Sequence, residues 1–237
     1  MTLRIRPQEP SDDEAVLSIF RESFPDLPHG TTDEYRRGVD GWRQRGLEFR
    51  QYVSEESGRV VGCGCVITIE SEEPGLFDIT VTVRPSDRRR GVGTALLDQC
   101  MTHADELGYR RTLSWVIEVD PGTDAFVAKH GYRRNGASEQ QSRLHVPSVK
   151  LTGFQDLEDG LMAGGVSIDL LGDRVDDGDF MEKLYRVDMT SHRDVPSSVA
   201  WKDIPYEHWL DFGVLGPGRR SGRGWRWQMG NRLGWRG

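Results

Sequence analysis

The sequence predicts an α/β fold, and three observations carry that expectation. Leu76–Val83 alternates apolar and polar residues, a glycine-containing turn follows, and Val92, Leu96, Cys100 and Leu107 then recur at helical spacing. This reads as strand, tight turn and helix. Glu48–Ser54 and Arg59–Glu70 are strand-like runs joined by Glu55-Glu56-Ser57-Gly58, the signature of a hairpin. Strand and helix periods then alternate through residues 1–150 in the order β-α-α-β-β-β-α-β-α-β.

Taken in order, Leu3–Pro7 is a short first strand. Ser11 or Asp12 caps a helix whose apolar face is Ala15, Val16, Ile19 and Phe20. Phe24–Gly30, with its two prolines, is loop. A second helix begins at Thr31 or Thr32, where Glu34 gives a capping-box pattern, and ends near Gly46. Gly62 and Gly64 weaken the strand that holds them and signal a bulge or a close approach. Gly108 closes the helix after the turn, and Arg111–Val119 is the next strand. Asp120-Pro121-Gly122 opens a short helix that Gly131 ends, and Ser142–Val146 is a last strand.

The turn Arg88-Arg89-Arg90-Gly91-Val92-Gly93-Thr94 has a specific chemistry. The first N–H groups of a helix lack internal partners, and the helix dipole puts partial positive charge there. Glycines at 91 and 93 let a phosphate oxygen approach those amides, and three arginines surround the point. The expected ligand is a pyrophosphate. A dinucleotide fingerprint would need a third glycine where Leu96 stands, and a Walker loop would need a lysine that is missing.

At these residues the chain resembles the GNAT superfamily of acyl-CoA-dependent N-acyltransferases. Arg88-x-x-Gly91-x-Gly93 fits the family's Q/R-x-x-G-x-G/A turn, with Val81-x-Val83-x-Pro85 before it and Thr94-Ala95-Leu96-Leu97 after it. The resemblance covers roughly residues 1–150 and implies a mixed, mostly antiparallel central sheet flanked by helices. It implies acetyl-CoA as acyl donor, held by the backbone of Val81 and Val83 and by Arg88, Arg89, Arg90, Gly91, Val92, Gly93 and Thr94. Phe126-Val127-Ala128-Lys129-His130-Gly131-Tyr132 resembles the second signature, which adds Phe126 and Lys129 to the cofactor set. Asp120 occupies the place of a frequent pantetheine-binding asparagine. Val127 stands where many members carry a tyrosine that protonates the departing thiolate, and valine cannot do this.

The reaction so implied is transfer of an acetyl group to a primary amine of a small molecule or peptide by direct attack. The amine must give a proton to a carboxylate. Asp78 on the strand before the turn and Glu118 at the end of the next strand are the nearest candidates. Strand parity counts against Asp78, which alternates with Ile79, Val81 and Val83. The rival reading is a module that binds acetyl-CoA without catalysis, supported by Val127.

Residues 1–147 form the expected acyl-CoA domain and 148–165 a linker with one helical piece. From 166 to 212 the pattern of the first module starts again as β-α-α: Val166–Asp169 echoes Leu3–Arg6, Phe180, Leu184 and Tyr185 echo the first helix, and Tyr206–Trp209 opens another. This layout is similar to tandem, mycothiol-synthase-like members of the family. A half-module with exposed apolar strands and helices should dock on its own first domain or on another chain, the latter giving a homodimer. Residues 213–237 are rich in Gly, Arg and Trp, with no acidic residue after Asp211. An arginine–aromatic arm for RNA is one reading. A frame change within a once-complete tandem is the other, and the abrupt shift in mid-module favours it. Asp173–Asp179 lacks calcium-loop spacing and reads as a solvated loop.

Composition narrows the classes. A net charge of −7 argues against a general nucleic-acid binder and leans towards a cationic amine acceptor. Only Lys129, Lys150, Lys183 and Lys202 among the 31 basic residues are lysine, a bias of coding rather than function. No stretch has signal-peptide or membrane-spanning character, so the expectation is a cytoplasmic protein without a membrane partner. Cys63, Cys65 and Cys100 suit reduced core thiols, and no further ligands at matching spacing make a metal site.

Overall fold

Alternation decides the architecture of the first half of the chain, because each strand must bury one face and helices are at hand for both. The computed structural model describes residues 3–27, 29–44, 46–116, 121–135, 153–167, 170–195, 197 and 199–210. The chain divides into two compact units, residues 1–134 with 199–202, and residues 135–198 with 203–237.

The first unit holds a five-stranded sheet in the order β1 (Leu3–Pro7), β2 (Phe49–Glu56), β3 (Arg59–Thr68), β4 (Leu76–Val83), β5 (Arg111–Leu113). Neighbours are antiparallel except β4 and β5, which are parallel. This is the mixed, mostly antiparallel sheet flanked by helices that the family resemblance implies. On one face Tyr52, Val66 and Ile79 pack against Val92, Leu96 and Cys100 of α3 (Val92–Glu106). On the other, Val53 and Cys63 pack against Val16 and Ile19 of α1 (Asp13–Ser23). Fully burying a side chain such as Ile79 or Leu96 contributes roughly 1.5–3 kcal/mol.

Gly62 and Gly64 mark a close approach. A Cβ on Gly64 would lie 3.0 Å from Cys100 Sγ, and one on Gly62 would lie 3.0 Å from Leu96 Cδ1. Any side chain there would lift α3 off the sheet. A register shift adjoins them: Ser54 and Glu55 of β2 oppose Gly62 and Val60, which leaves Val61 of β3, next to Gly62, as the extra residue.

α2 (Thr32–Gln44) starts as its sequence suggests: Thr31 N–H donates to Glu34 Oε2 at 2.7 Å, and Glu34 N–H donates to Thr31 Oγ1 at 3.2 Å. α1 departs from expectation. A 3₁₀ turn over Pro10–Asp12 precedes it, and Asp12 makes no side-chain cap. Its carboxylate accepts instead from Arg6, at 2.6 and 2.8 Å, and from Glu9 N–H at 2.8 Å. A nearby guanidinium outcompetes a helix-end amide.

The strand expected over Arg111–Val119 forms only at Arg111–Leu113, and Ser114–Val116 lies in no strand. Ile117–Asp120 and the strand expected at Ser142–Val146 lie outside the described residues. α4 (Pro121–Lys129) follows as anticipated. Residues 199–202 join this unit by an antiparallel bridge between Ser71 and Trp201.

The second unit contains α5 (Phe154–Ala163), α6 (Leu171–Arg174), α7 (Gly178–Asp194) and α8 (Tyr206–His208). Its core is Met181, Met189 and Trp209, with Phe180, Leu184, Tyr185 and Tyr206 around them. Of the expected repeat, the helix carrying Phe180, Leu184 and Tyr185 is present as α7. Val166 and Ser167 form no strand, and Ile168 and Asp169 lie outside the described residues. The acidic stretch Asp173–Asp179 is not plain loop. It includes the end of α6 and the N-cap of α7, where Asp177 accepts from Phe180 N–H at 3.0 Å.

Candidate functional site

Hydrogen-bond alternation gives β4 one unpaired edge. Arg84 N–H donates to Val61 O at 2.9 Å and Ile69 N–H donates to Leu76 O at 3.0 Å, so even-numbered positions of β4 spend their backbone groups on β3. Odd-numbered positions turn theirs the other way. β5 meets that edge only at Leu76–Asp78, and among the described residues no strand continues the pairing. The Asp78–Leu113 pair takes up the N–H of Ile79, so the C=O of Ile79 and the N–H and C=O of Val81 lie beyond the ladder. Val83 O accepts from Arg88 Nε at 3.1 Å and from Ser23 Oγ at 3.5 Å.

Immediately after β4 the chain makes a 3₁₀ turn over Pro85–Asp87 and enters α3 with Gly91 as N-cap. No side chain caps the helix, and Ala95 N–H to Gly91 O, at 3.0 Å, is its first internal bond. The amides of Val92, Gly93 and Thr94 thus precede the helical ladder, with the positive end of the dipole behind them. The two glycines have different reasons. Gly91 has φ +86°, and a Cβ there would meet nothing within 4 Å, so conformation alone selects it. Gly93 is selected by space, since its Cβ would sit 3.3 Å from the Phe126 ring and 3.6 Å from Val83 Cγ2.

The three arginines, equivalent in the sequence, separate in the structure. Arg90 donates to Asp87 Oδ1 at 3.0 Å and to both Glu56 oxygens at 2.7 and 2.8 Å. Arg88 folds back on Val83 O. Arg89 is exposed at φ +62° and makes no ion pair or hydrogen bond among the described residues. Asp87, which the sequence reading passed over, is 2% exposed. Burial alone would raise its carboxyl, but hydrogen bonds from Arg59 and Ser86 and the charges of Arg59 and Arg90 hold it below its ordinary value. Its spacing of three residues from Arg90 was the available signal.

α4 covers the other side of the turn. Phe126 packs on Gly93 and its ring centroid lies 4.7 Å from that of His130. His130 Nε2 in turn lies 3.2 Å from Thr94 Oγ1. His130 also escaped the sequence reading, although it stands four residues after Phe126 on the same helical face. Val127 is half-buried and Lys129 exposed. Asp120 and Glu118 lie outside the described residues.

Asp78 closes the β4–β5 pairing, opposite Leu113 on β5 and Ile67 on β3. Strand parity puts it on the face away from α3, with Cys65 and Thr80. Burial pushes its carboxyl up to about 6, against a hydrogen bond from Thr80 Oγ1 at 3.4 Å. Burial likewise pushes the Cys65 thiol up to about 12, which leaves it protonated at neutral pH. All three cysteines are free, Cys63 and Cys100 being buried.

Solved structures share the fold of the first unit. A crystal structure of an N-acetyltransferase from Staphylococcus aureus Mu50 superposes with a TM-score of 0.50 at 20% identity, over 57% of this chain and 86% of that one. A protein described as an acetyltransferase, from Agrobacterium tumefaciens str. C58, does so with a TM-score of 0.50 at 19% identity, over 59% of this chain and 99% of its own. At such identities the likeness concerns the fold. No curated protein sequence matches the chain. Among the described residues no helix is long and apolar enough to cross a membrane. The model of the acetyltransferase (GNAT) family matches residues 14–132, half of the chain, with the β4 edge, the arginine–glycine turn and all of α4 inside the match; the chain belongs to that family.

Proposed function

We propose that the first unit transfers an acetyl group from acetyl-CoA to a primary amine of a small molecule or peptide. One observation carries this reading: the unpaired edge of β4 meets the uncapped start of α3 at Val83, which touches both Arg88 and the Gly93 position. A long, polar chain ending in a diphosphate fits such a junction. Its amide-bearing arm would extend the β4 ladder along Val81 and Val83, and its diphosphate would take the amides of Val92–Thr94. Phe126 would floor the turn, and Lys129 and Asp120 would border the site on the α4 side.

In the reaction the neutral amine nitrogen attacks the thioester carbonyl, the C–S bond breaks, and CoA leaves as the thiolate. A β4 backbone N–H polarises the carbonyl oxygen. The amine proton goes to a carboxylate, for which Asp78 and Glu118 stand as candidates. Asp78 is supported by its place where β5 departs and by a carboxyl pushed up to about 6, suited to a base near neutral pH. The acidity of the chain favours a cationic acceptor. The setting we infer is cytoplasmic.

A second reading is favoured by Val127, which puts no phenol on α4: acetyl-CoA bound without turnover, in a protein of tandem layout. In that layout residues 1–147 are the cofactor domain, 148–165 a linker and 166–212 a partial second copy able to pair with another chain. Its support is the division into two units and the helix at Gly178–Asp194. Calorimetric titration with acetyl-CoA tests the common premise. Wild type should bind and Gly91→Asp, which sets an anion in the turn, should not. CoA release with a panel of amines then separates enzyme from binder. A wild type that takes up no acetyl-CoA would sink both readings.

A further inference from the structure

The turn that follows β4 is braced by a closed ring of charges running to the β2–β3 hairpin. Arg59 Nη2 donates to both Asp87 oxygens, each at 2.9 Å, and Ser86 Oγ donates to Oδ2 at 3.1 Å. Arg90 bridges Asp87 to Glu56, at 3.0 Å on one side and 2.7 and 2.8 Å on the other. Glu56 and Arg59 are themselves cross-strand partners at the end of the hairpin, so the circuit returns to its start. Two acids and two arginines make it neutral. Arg90 therefore spends its charge inside the ring.

The consequence falls on the residues between Asp87 and Arg90. Both ends of that short span are fixed, at Asp87 by burial and by its N–H bond to Arg84 O at 2.9 Å, and at Arg90 by two carboxylates. A span so held drives Arg89 into the left-handed region, φ +62°, where a side chain other than glycine is uncommon. It also sets where Gly91 starts α3, and hence where the first amides of the helix point.

We propose that Asp87 is a positioning residue for the acyl-CoA turn, that Arg90 and Arg59 are its struts, and that Arg89 alone of Arg89 and Arg90 offers its charge to the cofactor's phosphates. The proposal rests on the reading that this turn takes the diphosphate of acyl-CoA. A strut and a ligand differ in two measurable ways. A phosphate ligand contributes a salt-dependent share of affinity, whereas a strut acts through geometry. Residues that act through one contact are non-additive when removed together.

The experiment is acetyl-CoA titration of the full chain at several salt concentrations, well below the unfolding midpoint, with Asp87→Asn, Arg90→Gln, Arg89→Gln and the Asp87→Asn/Arg90→Gln double variant. Amide hydrogen exchange over Arg88–Thr94 is measured without ligand. Loss of one charge-assisted contact should weaken binding about tenfold in each single variant. Arg89→Gln should flatten the salt dependence and leave exchange alone. Arg90→Gln and Asp87→Asn should keep the wild-type salt dependence, speed exchange of the turn, and weaken binding no further when combined. Arg90→Gln with a flattened salt dependence and unchanged exchange would overturn the proposal, as would a folded Asp87→Asn with wild-type affinity and exchange. Should Asp87→Asn fail to fold, Arg90→Gln and Glu56→Gln carry the same test from the exposed side of the ring. A wild type that binds no acetyl-CoA defeats the proposed function, while faster exchange in the variants still reports on the brace.

Discussion

A half-buried aspartate near one end of β4 and a buried one in the turn past its other end behave oppositely. Asp78, at the end where β5 departs, has no cation paired with it among the described residues, accepts from the Thr80 hydroxyl, and is pushed up to about 6 by burial. Asp87, in the turn past the other end, is more deeply buried yet is held below its ordinary value, because Arg59 and Arg90 donate to it. Burial by itself does not set the state of a carboxylate; the cations placed around it do. One strand thereby separates two tasks, a group able to exchange a proton near neutral pH and a group fixed in charge that holds a turn.

The largest effect expected from this contrast concerns turnover. If Asp78 accepts the amine proton, Asp78→Asn should lower the rate of CoA release by roughly 10²–10⁴-fold while leaving acetyl-CoA affinity near wild type. The wild-type pH profile should rise through a limb near 6. An unaltered rate and limb in the variant would transfer the role to Glu118 or elsewhere.

Asp87 should matter next, and for stability. Asp87→Asn takes the carboxylate away from Arg59 and leaves Arg90 with Glu56 alone, and denaturant unfolding at pH 7 should show a loss of about 3 kcal/mol. That is the lower part of the range for buried pairs, because Arg59 and Arg90 are half-exposed. The folded carboxyl titrates below its ordinary 3.8, so its contribution is present above that pH and is lost as the pH falls through the folded value. The gap between variant and wild type should therefore close in acid.

Asp78 carries the reverse sign. Its folded value, about 6, lies above the ordinary 3.8, so its contribution is fully present below 3.8 and disappears as the pH rises through 6. Asp78→Asn should be neutral at pH 4 and stabilise the protein by about 2 kcal/mol at pH 8, read from unfolding midpoints at the two pH values. A gap that stays constant with pH would mean that the carboxyl is not desolvated in the folded state.

Gly91→Ala is the smallest. The Cβ has room, but φ +86° disfavours any L side chain, and a loss of about 1 kcal/mol is expected. A loss of several kcal/mol would show that the space around Gly91 is already filled.

Much of the first unit was legible in the sequence. The parity of Leu76–Val83, the hairpin at Glu55–Gly58, the Thr31–Glu34 box and the glycine turn into α3 are local patterns, fixed by backbone sterics and by the period of each element. The same locality explains where the reading fell short. Three adjacent arginines look alike in a string, and only the hairpin, a distant part of the chain, distinguishes Arg90 from Arg89. Asp12 has the chemistry of a cap, and uses it on Glu9 N–H of the 3₁₀ turn and on Arg6 rather than on the amides of α1. The second unit was read by echo, which supplied α7 but, among the described residues, no strand, since a strand needs a neighbour and a similar string does not bring one.

The sequence by itself determined most of the strands and helices of the first unit and which residues line the turn after β4, because these follow from short-range geometry and the period of each element. Only the tertiary structure decided that β5 leaves β4 after Asp78, that Gly93 is small because Phe126 lies on it, and that one aspartate is raised while another is held down. Those outcomes depend on which groups meet across tens of residues, and desolvation and Coulomb energies are set by that meeting rather than by neighbours in the chain.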